Sequence, residues 1–123
     1  MNLNQAYIAL SSQQEISQLE DTVELGLVKD LLDSWSFITI NVLSKGDCVI
    51  FILGNHQNGE PYLTSAVVAF DYQSRLVKTT SGSIYQLGEA QVGDPSTPQI
   101  MCLCAMLHSC TLGEYLGVPH FFY

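Results

Sequence analysis

Cys102, Cys104, His108 and Cys110 crowd together near the end of the chain. Thiolates and imidazole are the ligands zinc prefers, so this C-x-C-x3-H-x-C spacing raises metal chemistry first. The residues around it, Gln99 to Leu112, carry almost no charge and read as a buried helix. At about 100° per residue, Cys104 and His108 share a helical face while Cys102 and Cys110 point away from it. At most two ligands converge, and the rest would have to come from Cys48, His56 or His120 on distant parts of the chain. Inert packed thiols are the expectation, since cysteine inside a protein behaves as a small apolar group. A nucleophilic Cys102 or Cys104 would need a stabilised thiolate in a partly open site, and their apolar neighbours favour the neutral thiol. No catalytic residue, metal or cofactor is assigned.

The carboxylates carry the stronger signal. Asp and Glu number 12 against 4 Lys and Arg, a formal net charge of −8. Glu15, Glu20, Asp21, Glu24, Asp30 and Asp33 all fall between positions 15 and 33, where Lys29 is the only base. On a solvated helix face, pairs such as Glu20 with Glu24 or Asp30 with Asp33 are hard to tune for acid–base catalysis. As a field, they suit recognition of a positive surface. Glu20, Asp21, Glu24, Asp30 and Asp33 are therefore the expected partner-binding residues. The expected partner is a basic protein, with this chain acting as an immunity protein, an antitoxin-like inhibitor or a nucleic-acid mimic. Direct nucleic-acid binding is not expected, because neutralising phosphates needs clustered Lys and Arg.

Ser81-Gly82-Ser83 has the composition of a phosphate cradle but lacks the strand–loop–helix context, since a strand-like run follows it. It reads as a tight turn or bulge.

These residues need a scaffold, and at 123 residues a single domain with one core is expected. Ser12-Gln-Gln-Glu15 has the form of a capping box. Ile16, Leu19, Val23, Leu27, Val28, Leu31, Leu32 and Trp35 then recur at steps of three and four, which predicts an acidic amphipathic helical segment, with Gly26 as a candidate break into two helices. Runs at 37–43, 48–53, 62–70, 76–80 and 84–87 alternate with turn residues, predicting four to five short antiparallel strands as a meander, with a closed or strongly curved sheet as the alternative. Thr97 and Pro98 start the final helix as cap and first residue. The fold class expected is α+β. Its core comprises Leu19, Val23, Leu27, Leu31, Phe37, Ile40, Val49, Phe51, Val67, Phe70, Val77, Ile84, Leu103 and Leu107.

The N-terminus lacks the pattern of a secretory signal, and the longest apolar run, 48–53, is too short to span a bilayer. With reduced cysteines, these features give a cytoplasmic protein as the expectation. Charged residues make up only 13% of the chain, about half the usual share, which implies many neutral polar residues outside or a sizeable area covered by a partner or, in a homo-oligomer, by another copy. The rival reading is a homo-oligomeric small-ligand binder or enzyme with a pocket between the sheet and the last helix, suggested by Tyr62, Tyr72, Tyr85 and the aromatic end Phe121-Phe122-Tyr123.

Overall fold

The computed structural model describes residues 6–24, 26–42 and 47–109. Among these, the protein is mostly β, which corrects the α+β expectation. Seven strands form one mixed sheet: β1 (Ala6–Leu10), β2 (Val28–Val42), β3 (Asp47–Asn55), β4 (Pro61–Leu63), β5 (Val67–Asp71), β6 (Leu76–Thr79) and β7 (Ile84–Leu87). Two short helices, α1 (Gln13–Gln18) and α2 (Thr97–Ser109), accompany it.

The acidic helical segment is replaced by a short helix, an extended stretch and half of a long strand. Its start follows the sequence: Ser12 Oγ accepts the Glu15 N–H at 3.1 Å, and Glu15 Oε1 accepts the Ser12 N–H at 2.8 Å. The helix then ends at a cap on Leu19 because the edge of β5 competes for the backbone. Phe70 N–H donates to Leu19 O at 2.8 Å and Asp21 N–H to Phe70 O at 3.1 Å, so the chain runs beside β5 instead of coiling on. Leu27, expected in the core, is 94% exposed, while Leu32 is fully buried.

β2 is the spine of the fold, and it also breaks the expected meander. Its later part pairs antiparallel with β3 on one edge and with β1 on the other. Its earlier part pairs parallel with β7, so sequence-distant strands become neighbours. A register shift between Asp33 and Ser36 separates the two parts, and Ser34 sits there at φ 49°. A bulge of this kind bends a strand and increases its twist. The bend lets the β1–β4 half fold over the β5–β7 half, and Phe37, Ile50 and Ile52 from one share a core with Val67, Phe70, Val77 and Leu87 from the other.

The opposite face of the β1–β4 half is also covered, by Leu103 of α2 packed with Ile38, Ile40, Leu53 and Leu63. With one face of β3 buried and the other partly covered, 48–53 reads as an apolar run without polar alternation. Each fully buried aliphatic, such as Ile52 or Leu53, contributes about 1.5–3 kcal/mol.

The expected hairpin of 37–43 with 48–53 is present as the β2–β3 ladder, with its turn outside the described residues. The single run expected at 62–70 is two strands, β4 and β5. At α2 the cap is Ser96 rather than Thr97: Gln99 N–H donates to Ser96 Oγ at 3.3 Å and Ser96 N–H to Gln99 Oε1 at 3.0 Å. Of the remaining expected core, Val23, Phe37, Ile40, Val67, Phe70, Val77 and Leu103 are buried, whereas Leu19, Leu31, Val49, Phe51 and Ile84 are half-buried. The Leu107 side chain lies outside the description.

Candidate binding surface

The fold divides the five expected binding acids into two groups. Glu20, Asp21 and Glu24 are exposed on the segment that follows α1. Backbone hydrogen bonds hold the first two against β5: Glu20 bridges to Phe70, and Asp21 N–H reaches Phe70 O. Asp30 and Asp33 are half-buried on β2 and engaged by the fold. Asp30 pairs with His56, and Asp33 Oδ1 accepts the Glu89 N–H at 3.0 Å.

A sixth acid, the half-buried Asp71, lies beside the exposed group. It lines an open recess of ≈ 330 Å³ with Glu20, Asp21, Thr22 and Gln73. Its carboxylate accepts N–H groups from Val23, Gln73 and Ser74 at 3.2, 3.2 and 3.3 Å. These bonds, the one from Val23 foremost, hold its carboxyl below the usual carboxylate range, so it is anionic at neutral pH. The sequence marks Asp71 only as a turn former; its approach to Glu20 depends on the pairing of 19–21 with β5.

Beside these acids runs a groove with an aromatic floor. Trp35 meets Phe37 edge-to-face with centroids 5.6 Å apart, Phe37 meets Phe70 at 5.0 Å, and Phe70 meets Tyr72 at 6.0 Å. One open recess of ≈ 340 Å³ includes all four rings along with Leu10 and Ile16. A second, of ≈ 330 Å³, shares Ile16, Phe70 and Tyr72 and extends to Glu20. Tyr72 is 71% exposed and Leu10 45%, so the rim of the groove presents apolar surface to solvent. The floor is rigidly held: Trp35 Nε1–H donates to Gly88 O at 3.0 Å, and the Arg75 guanidinium donates to the same oxygen at 3.0 Å.

A different polar cluster closes the two halves of the sheet. His56, just past β3, donates from Nδ1 to Asp30 on β2, and this bond is the largest cause holding the Asp30 carboxyl below the usual range. The His56 ring lies 4.6 Å from that of Tyr62, whose hydroxyl is 3.0 Å from the Tyr85 hydroxyl. Burial, then the bond to Tyr62, pushes the Tyr85 phenol above its ordinary value. Tyr85 is only 2% exposed and Tyr62 half-buried, so of Tyr62, Tyr72 and Tyr85 only Tyr72 is exposed. The His56–Asp30 pair ties the end of β3 to β2.

Burial pushes the thiols of Cys102 and Cys104 up from their ordinary value, which disfavours the thiolate. Among the described residues no three His, Cys, Asp or Glu side chains cluster as a metal site. The side chain of His108, together with Cys110 and His120, lies outside the described residues. Ser81-Gly82-Ser83 forms the β6–β7 turn, with Gly82 at φ 84° and the Ser81 hydroxyl bonded to those of Ser65, Thr79 and Ser83. Among the described residues none from α2 lines the recesses above, and the aromatic end at 121–123 lies outside the described residues. Among the described residues no helix is long and apolar enough to cross a membrane. Comparison with protein-family models, curated proteins and solved structures gives no match.

Proposed function

We propose that this protein is a small acidic binding protein that recognises a basic protein surface, in the manner of an immunity protein, an antitoxin-like inhibitor or a nucleic-acid mimic. The observation that carries this reading is the fixed acidic edge, where Glu20 and Asp21 are exposed, pinned by their backbone to β5 and joined by Asp71. Carboxylates on an anchored backbone present charge with less ordering left for the encounter. The net charge of −8 adds a long-range attraction for cations and repels nucleic acid. Glu24 extends the same field, while Asp30 and Asp33 serve it by holding the bend in β2.

Two single substitutions of equal charge test the location of the surface. Glu20→Gln removes a carboxylate from the acidic edge, and Glu60→Gln removes one from the exposed β3–β4 turn. With a basic protein captured from host extract, Glu20→Gln is expected to slow association at least about twofold in low salt, and Glu60→Gln to leave it unchanged. Equal effects would reduce the attraction to net charge alone; no effect of either would remove the acidic edge from recognition.

A further inference from the structure

We infer that the aromatic groove takes one segment of the basic partner, inserting a large apolar side chain over Phe70 and Tyr72 and placing a Lys or Arg one to three residues away against Glu20 and Asp21. The inference rests on the proposed recognition of a basic protein and names the chemistry that would be read.

Three observations lead to it. First, the apolar and acidic parts are continuous: Glu20 lines a recess with Phe70 and Tyr72 and another with Asp21 and Asp71. A cationic side chain close in sequence to an apolar anchor can therefore satisfy both. Second, among the described residues no Lys, Arg or His lines any of these recesses, so these residues offer carboxylates and aromatic faces to an incoming cation. Third, the outer edge of β5 already bonds to Leu19 and Asp21. Strand addition is closed there, which leaves capture of side chains as the means of binding.

Charge selects the occupant. A second copy of this chain brings a net charge of −8 to an acidic groove. Residues 110–123 of the chain itself contain Glu114 and neither Lys nor Arg. A foreign segment combining an aromatic or long aliphatic residue with a base complements both halves of the surface. The recesses, at ≈ 330–340 Å³ and open, suit inserted side chains better than an enclosed small molecule.

Panning the full-length protein against a random peptide library displayed on phage tests this directly. The expected enriched peptides carry Phe, Trp, Tyr or Leu within three residues of Lys or Arg. Their affinity should fall about five- to tenfold with Tyr72→Ala, and by a similar factor with Glu20→Gln combined with Asp21→Asn. Tyr72 is exposed on a turn, so its truncation leaves the core intact, and an unchanged melting temperature confirms it. Basic peptides with no apolar requirement, insensitive to Tyr72→Ala but weakened by the acid substitutions, would overturn the groove while leaving the acidic surface standing. Apolar peptides indifferent to both Glu20 and Asp21 would count against the groove inference and the acidic reading together. Failure to enrich any peptide would overturn the groove inference alone, since whole-protein association tests the acidic surface independently.

Discussion

Asp30 and His56 are 26 positions apart, and their pairing turns an acid that looks solvated into a structural one. Because His56 holds the Asp30 carboxyl below its unfolded value of about 3.9, the pair stabilises the fold fully above that pH. The contribution is lost as pH falls through the lower folded value. Asp30→Asn is therefore expected to be less stable than wild type at pH 7, with a shallower loss of stability on acidification, as followed by urea unfolding from about pH 7 to pH 3. Glu15 and Asp71 shift in the same direction, so some acid dependence remains in the variant. Superposable pH profiles would show that the pair contributes nothing. Glu20 and Asp21 were legible as exposed acids because exposure is the default for a carboxylate. The engagement of Asp30 and Asp33 was not, since their partners lie on other strands and no local spacing announces them.

Gln99 makes the same point for a neutral side chain. It is fully buried, and its Nε2 donates to Ser34 O at 2.8 Å and to Asn55 Oδ1 at 3.2 Å. It thereby fixes α2 to the β2 bulge and to the end of β3. Gln99→Leu keeps the volume but strands both acceptors, and a loss of about 1–3 kcal/mol in urea unfolding is expected. The sequence shows Gln99 only as an early residue of the last helix.

Among elements, β2 decides how far local pattern can be trusted. The stretch Val28 to Ser36 has few β-branched residues, and its apolar spacing fits a helical face. It is nevertheless strand, because β7 and β3 supply partners that a lone helix would lack, and tertiary context overrides a weak propensity. The runs that became β3, β6 and β7 were legible because their composition and their burial agree. So was the start of α1, where the capping box depends on contacts three residues apart. Its end was not, being set by β5, some fifty residues further along.

The Asp33 carboxylate, at the bend in β2, lies against a glycine. A Cβ on Gly88 would overlap the Asp33 carboxylate, which accepts the Glu89 N–H. Gly88→Ala is expected to displace that carboxylate and destabilise the protein by about 1–3 kcal/mol. Since Gly88 O also receives the Trp35 and Arg75 donors, the variant should change the tryptophan fluorescence of the folded state as well. Wild-type stability and fluorescence together would mean that the bend does not rely on this close approach.

At the scale of the molecule, the curled sheet carries its acidic edge and its aromatic groove side by side, and the excess of carboxylates surrounds both with a negative field. Fields of this strength act mainly on the rate of encounter and are screened within about 8 Å at physiological salt. Composition made the field legible from the sequence. The groove was hidden, because Trp35, Phe37, Phe70 and Tyr72 come from two separate segments that only the bend brings into one row.

The association rate of the captured basic partner, measured from about 20 to 500 mM salt, is the most direct test of recognition through this edge. For wild type the rate should fall steeply with salt. For Glu20→Gln combined with Asp21→Asn it should start lower, fall less steeply and converge with wild type at high salt, with dissociation changed far less. Identical rates and identical salt slopes for the two proteins would contradict the account.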